Sequence, residues 1–281
     1  THSLGKEQRL HFHKSRVHLH SRQPASTTTT TATTMTAVQV WGRCCNGEVE
    51  IIYYDEKYRE QSMDVLRKSF FLNEAVCIGS EVNLDPQAQL DLEQLCLDVG
   101  RSGTSLIARH VPSERIVGVS FNVLQTPSAP GELNYFETFR DQHCLSESSK
   151  NLMQYMITMD GKVDLFEKFN IDCLFEIMFL ATLPEFEGKG IGSALVSSSI
   201  ELAKLLKQGQ ATENLPEDSK HKRPQLVSAL FTSRISQRVG TKNQFKQINE
   251  VPHSEFVFRG KSYTERIGPD HPTSILVVRE I

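Results

Sequence analysis

The sequence predicts one α/β domain behind a tail that cannot order itself. Three observations carry this expectation. Residues 1–36 are basic, poor in apolar residues and nearly free of acids, with Glu7 the one exception. From Val49 onward, short runs of β-branched and aromatic residues alternate with stretches whose apolar residues recur at helical spacing. One run, Cys173 to Leu183, is apolar on both faces, the pattern of a strand in the middle of a sheet.

The tail holds five of the ten histidines (His2, His11, His13, His18 and His20), and Pro24 to Thr36 is almost entirely Thr, Ala and Ser. Such a segment buries too little to offset its ordering entropy, so residues 1–36 are read as disordered and residues 48–281 as the folded domain. Within the domain, Val49 to Tyr54 reads as a strand and Glu56 to Phe71 as a helix with Met63, Leu66 and Phe70 on its apolar face. Leu84 to Leu97 reads as a second helix. Ser105 to Arg109 and Ile116 to Leu124 read as strands joined by a turn at Pro112 and Ser113. Gln125 to Gly131 is a Pro-containing loop, and Glu147 to Phe169 is helical with a break at Gly161. After the central strand come a helix over Gly192 to Lys207, a polar loop over Gln208 to Pro224, a strand over Leu226 to Thr232 and a short helix over Ser236 to Asn243. Phe256 to Phe258 and Ser274 to Val278 are expected to close the sheet.

Composition excludes several classes of function. The chain has 281 residues, 38% hydrophobic and 23% charged, with a formal net charge of −3. That balance lacks the strongly basic face of a nucleic-acid binder. No run of about 18 apolar residues occurs, so no membrane span is expected. Six cysteines are too few for a disulfide scaffold, and no CxxC or HExxH spacing suggests a metal. A cytoplasmic monomer without metal is the expectation.

The stretch that carries chemistry is Phe179 to Leu195, F-L-A-T-L-P-E-F-E-G-K-G-I-G-S-A-L. An apolar strand ends, a Gly-rich turn follows and a helix begins. Gly188, Gly190 and Gly192 let backbone amides approach a ligand, and those amides sit where unpaired donors and the helix dipole favour an anion. A phosphate or pyrophosphate site follows, with Gly188, Lys189, Gly190, Ile191, Gly192 and Ser193 as its candidate residues. A Walker loop is excluded because Lys189 comes too early and no Ser or Thr follows it. A Rossmann turn is excluded because the glycines run GxGxG and the next strand ends at Phe231-Thr232 without an acid.

The turn resembles the acetyl-CoA turn of the GNAT acyltransferases, Q/R-x-x-G-x-G/A, with Glu187 in the place of the first residue. Further segments resemble one branch of that superfamily, the insect arylalkylamine N-acetyltransferases. Phe70-Phe71-Leu72-Asn73-Glu74 looks like the branch's Phe-Phe-x-Asp-Glu segment, and Leu230-Phe231-Thr232-Ser233-Arg234-Ile235-Ser236-Gln237-Arg238-Val239 is similar to the segment after its next strand, which runs Ser-Ser-x-x-Ser-x-Arg-Val. Phe245 falls where the branch has the Phe of a Gly-Phe turn. The chain departs from the pattern at Asn73, Ala75, Glu187 and Gln244. The resemblance spans roughly Val49 to Ile281. It implies a GNAT-like domain with a central mixed, mostly antiparallel sheet flanked by helices. It also implies an N-acetyltransferase that takes acetyl-CoA as acyl donor and a small primary amine as acceptor, an arylalkylamine first and a polyamine second.

In this reading Glu74 is the general base, because an amine with a pKa near ~10 arrives as an ammonium and must lose a proton before it can attack. Ala181, Thr182 and Leu183 would present backbone groups to the pantetheine arm and the acetyl carbonyl. Thr232 would position groups. Ser236 would either help to protonate the departing thiolate or cap the short helix. Glu176 is assigned no catalytic part, and His110, His143 and His253 have no evident partners. Two other classes stay open: an acyl-CoA-binding protein without turnover, which Glu187 favours, and a protein N-acetyltransferase.

Overall fold

The computed structural model describes residues 39–128, 131 and 133–281. The segment expected to be disordered, 1–36, lies outside the described residues. The chain opens with β1 Val40–Cys44 and β2 Val49–Tyr53. It continues into α1 Arg59–Val65, a π-helical turn Leu66–Phe70 and α2 Phe71–Asn73, and resumes after Glu74 as α3 Ala75–Gly79. Next come α4 Pro86–Gly100, β3 Leu106–His110, β4 Arg115–Gln125, α5 Tyr135–His143, α6 Glu147–Asp160 and α7 Leu165–Phe169. Then follow β5 Leu174–Thr182, α8 Ile191–Lys207, β6 Leu226–Phe231, α9 Arg234–Lys242 and β7 Lys246–Pro252. The chain finishes with β8 Val257–Phe258, β9 Lys261–Ser262, α10 Tyr263–Ile267 and β10 Thr273–Glu280.

Among the described residues, eight strands form one sheet in the order β1-β2-β3-β4-β5-β6-β10-β7. Every neighbouring pair is antiparallel except β5 and β6, which are parallel and joined through α8, the long crossover that parallel pairing needs. This is the mixed, mostly antiparallel sheet that was expected, with the doubly apolar strand near its middle. Ser120 and Asn122 bond to Ser199 of α8, which places the even residues of β4 on the α8 face. Phe121 points to the other face, where α4 comes so close that a Cβ on Gly100 would lie 3.1 Å from the Phe121 ring. Helix α8 buries Ile191, Leu195, Val196, Ile200, Ala203 and Leu206, an apolar stripe at helical spacing.

Two irregularities shape the middle of the sheet. The β5–β6 pairing ends at Ile177↔Ala229, although β5 runs on to Thr182 and β6 to Phe231. The strands therefore part into a wedge. Just there, Asn122 opposes Ile177 and Phe121 opposes Phe179, so Met178 is the extra residue of a β-bulge. The bulge resets the alternation and puts Glu176 and Phe179 on the same face of β5, away from α8.

The helices beside the wedge are fixed by caps and by one buried acid. Asp85 accepts from the Gln87 and Ala88 N–H groups at the start of α4, with Pro86 in the first helical position. Asp91 of α4 is 5% exposed, yet it accepts from the Leu145 and Ser146 N–H groups and the Ser149 hydroxyl, which ties the start of α6 to α4.

Several expectations are corrected. Val257–Phe258 does not close the sheet; it pairs with Lys261–Ser262 in a separate two-stranded ribbon. The strand in its place is β7, K-Q-I-N-E-V-P, an edge strand so polar that it carries no strand signal. The first strand, Val40–Cys44, lies before the boundary set at residue 48. Helix α5 lies just beyond the stretch read as loop, opened by a capping box between Asn134 and Glu137.

Candidate active site

The wedge opens into a cleft of about 880 Å³, within the usual range for small-molecule sites. One wall is the Gly-rich turn and the start of α8, including Gly188, Gly190, Ile191, Gly192 and Ser193. Gly188 and Gly190 have φ of +74° and +84°, a left-handed backbone that glycine alone adopts without cost. Among the described residues, a Cβ on either would meet no atom within 4 Å. These glycines thus face open space, as a phosphate cradle requires. Gly190 is the N-cap residue of α8 and has no side chain to occupy the free N–H groups of the first turn.

Lys189 does not join this wall. Its ammonium lies 4.6 Å from the centre of the Phe186 ring, and it is not among the residues that line the cleft. Positive charge comes instead from Arg238 and Lys242, one turn apart on α9 and both on the cleft. Asn243 holds α9 against α8 by donating from Nδ2 to the Ser193 hydroxyl at 3.2 Å. The two cations offset Glu187, which also lines the cleft. The i,i+4 spacing of Arg238 and Lys242 was legible in the sequence; their nearness to the turn was not.

Ala181 and Thr182 line the cleft as expected, but Leu183 does not. The Leu183 side chain is 1% exposed and its N–H donates to the Val117 carbonyl at 2.9 Å. Backbone direction alternates along a strand, so Ala181 also faces β4. The N–H groups of Leu180 and Thr182 then point toward the gap that β6 has left, where they could stabilise charge on a carbonyl oxygen.

Glu74 stands at the interruption between α2 and α3, with the short α2 separating it from the π-helical turn, a feature frequent at functional sites. Its φ and ψ of −68° and 137° are those of an N-cap, and its Oε2 accepts from the Cys77 N–H at 2.7 Å. Its Oε1 accepts a hydrogen bond from the Thr232 hydroxyl at the end of β6. The structure thus brings Glu74 and Thr232, 158 positions apart, into contact on the cleft wall. A carboxylate has about four acceptor sites, so two remain for a ligand.

Ser236 also lines the cleft, but it is not the helix cap. That position belongs to Ser233, which accepts from the Ser236 N–H at 3.1 Å. Ser236 completes the capping box and donates its own hydroxyl to the Ser233 carbonyl at 3.0 Å. To protonate a leaving group it would have to give up that bond.

On the far side the cleft is apolar, with Phe70, Leu92, Leu95, Phe136, Leu152, Met153, Met156 and Phe179. The Phe70 and Phe179 rings meet edge to face at 5.3 Å. Tyr155 lines the cleft as well and donates to the Ser274 hydroxyl at 2.6 Å. His253 has partners after all. Its Nδ1 faces the His271 carbonyl at 2.8 Å and so carries the proton, which leaves Nε2 to accept from Ser274 at 2.7 Å. Burial holds its pKa below the ordinary histidine value. No sequence pattern links Tyr155, Ser274 and His253; only the tertiary fold brings them together.

Glu176 sits at the floor, where β5 and β6 cease to pair. Its carboxyl is pushed up to about 8, chiefly by burial, with the negative charge of Asp160 acting the same way and the Gln125 hydrogen bond opposing it. Between the unfolded-state value of roughly 4.3 and about 8, the folded protein keeps a proton that the unfolded chain has released. Stability is therefore expected to fall as pH rises through that window. Urea midpoints measured from pH 5 to pH 8 should show this slope, and Glu176→Gln should reduce it, leaving the share of Asp160, whose carboxyl burial also pushes up to about 7. An equal slope in the two proteins would remove Glu176 as its source.

No protein-family model and no curated protein matches the chain. Solved structures do. Arylalkylamine N-acetyltransferase 2 from Aedes aegypti matches 83% of this chain and 99% of its own at 23% identity, with a TM-score of 0.67. The polyamine N-acetyltransferase of Drosophila melanogaster, which forms N-acetylagmatine, matches 83% of this chain and 100% of its own at 16% identity and a TM-score of 0.64. The C-terminal condensation domain of Ebony, solved with β-alanyl-dopamine, follows at 13% identity over 83% of this chain and 99% of its own, with a TM-score of 0.54. At such identities the likeness is one of fold, and the fold is the GNAT-like one expected from the sequence.

Proposed function

We propose that the protein is an acetyl-CoA-dependent N-acetyltransferase acting on a small primary amine. The observation that carries this reading is the placement of a free-sided carboxylate, Glu74, across one cleft from a glycine cradle at a helix N-terminus. Acetyl-CoA supplies the thioester. The first turn of α8, with Arg238 and Lys242, would hold its phosphates, and the wedge between β5 and β6 would take its arm. Glu74, oriented by Thr232 and the Cys77 N–H, would take the proton of the ammonium, directly or through a water. The nitrogen then bonds to the carbonyl carbon as the C–S bond breaks. The Leu180 and Thr182 N–H groups would meet the negative charge on the oxygen. The acylated nitrogen must shed a second proton and the thiolate must gain one; Ser236, on the cleft wall, would relay it.

The apolar wall of Phe70, Phe136, Phe179, Met153 and Met156 suits the ring or chain of an arylalkylamine. The fold likeness to arylalkylamine and polyamine N-acetyltransferases supports the class of acceptor. Acetyl-CoA at a hundredfold excess over its Kd is expected to stabilise the protein by about 2.7 kcal/mol, a rise in Tm of roughly 5–10 °C. Thiol release from acetyl-CoA across an amine panel then separates an enzyme from a binder. A shift without thiol release on any amine would favour an acyl-CoA-binding protein; no shift at millimolar acetyl-CoA would end the acyltransferase reading.

A further inference from the structure

Besides Glu74 and Glu187, one more carboxyl group lines the cleft. Glu176 is 9% exposed, lines the cleft, and shares its face of β5 with Phe179. The Gln125 amide donates to its Oε2, and among the described residues its other oxygen accepts no hydrogen bond and no cation acts on it. A carboxyl so placed is costly to ionise unless a cation arrives with the ligand.

Glu74 and Glu176 both line the cleft, and the Phe70–Phe179 pair links their neighbourhoods. Phe70, whose carbonyl accepts the Glu74 N–H at 2.9 Å, packs on Phe179, three residues along the bulged strand from Glu176. Three residues of strand cover roughly 7–10 Å. That is the length of a short alkyl spacer.

We propose that Glu176 is a specificity-determining residue that holds a second cationic nitrogen of the acceptor, so that the preferred substrates are alkyl diamines or guanidinoalkylamines. The reacting amine lies at Glu74, the spacer along Phe70 and Phe179, and the distal cation at Glu176. This inference rests on the acetyltransferase reading and narrows its substrate. A distal ammonium and a distal guanidinium would meet the same acid, and the spacer length separates them.

The test compares kcat/KM for a homologous series of α,ω-diamines, for guanidinoalkylamines and for the monoalkylamines of matching length, in the parent and in Glu176→Gln. The parent should prefer the dication over its matched monoamine by about 10–100-fold, the worth of a charge-assisted bond in a desolvated site. The preference should peak at one spacer length, and Glu176→Gln should collapse it toward unity through KM. Equal kcat/KM for diamine and monoamine in the parent overturns the inference without any variant being needed. A preference that survives Glu176→Gln assigns the cation to another group and also overturns it. In both cases amines are acetylated and the acetyltransferase reading stands. Absence of thiol release with every amine ends both.

Discussion

Glu74→Gln is expected to lower turnover of the best amine by about 10²–10⁴-fold at neutral pH, the usual worth of a positioned proton acceptor. Acetyl-CoA affinity should hardly change, because Glu74 and the glycine turn lie on different walls of the cleft. Gln is the informative replacement here. Its amide oxygen can accept from the Cys77 N–H and its NH₂ can donate to the Thr232 hydroxyl, so both contacts of the carboxylate survive. Glu74→Ala also removes a helix cap worth about 1 kcal/mol, and its loss would mix chemistry with local structure. The deficit should shrink as pH rises, since more of the amine then arrives neutral. Parent-like turnover of Glu74→Gln at neutral pH would mean that the proton leaves by another route, and the base assignment would be lost.

Gly190→Val should remove most acetyl-CoA binding, a fall in affinity of 100-fold or more on the order of a blocked backbone approach. Because no atom of the described residues lies within 4 Å of a Cβ at this position, the folded domain has room for the side chain. The cost to folding is the left-handed φ of +84° imposed on a β-branched residue, of order 1–3 kcal/mol. The cost to binding is larger, since the added carbons project where the ligand's phosphates must meet the first turn of α8. Calorimetric titration of acetyl-CoA into the variant, with its melting curve as control, reads the two separately. Normal affinity in a folded Gly190→Val protein would show that the glycines serve the turn alone.

Gly190→Val tests an assignment made from local pattern and Glu74→Gln one that the family resemblance implied, and local pattern was strong where one segment contains the whole signal. The Gly-rich turn after an apolar strand needs no distant partner to be read, because its glycines, strand and helix are contiguous. The central position of β5 was legible for the same reason: a strand buried on both faces cannot carry polar residues at every second place. The edge strands β1 and β7 were not legible, since an edge must be short or polar to avoid pairing with other chains, and that removes the alternation that marks a strand.

The sequence by itself determined the fold class, the order of its main helices and strands, and the residue types that could bind a phosphate and take a proton. It did not determine which of them meet. Ser233 rather than Ser236 caps α9 because the first helical residue is decided by where β6 ends. Lys189 turns to Phe186 and leaves the cleft to Arg238 and Lys242, which reach it only because α9 packs on α8. Glu176 becomes a buried acid facing a cavity only because the bulge at Met178 and the parting of β5 from β6 open the sheet beside it. Spacing along the chain fixes contacts within a helical turn or across a strand pleat. Contacts between residues separated by 50 or 158 positions, such as Asn243 with Ser193 and Thr232 with Glu74, depend on how sheet and helices pack, and no local pattern encodes that.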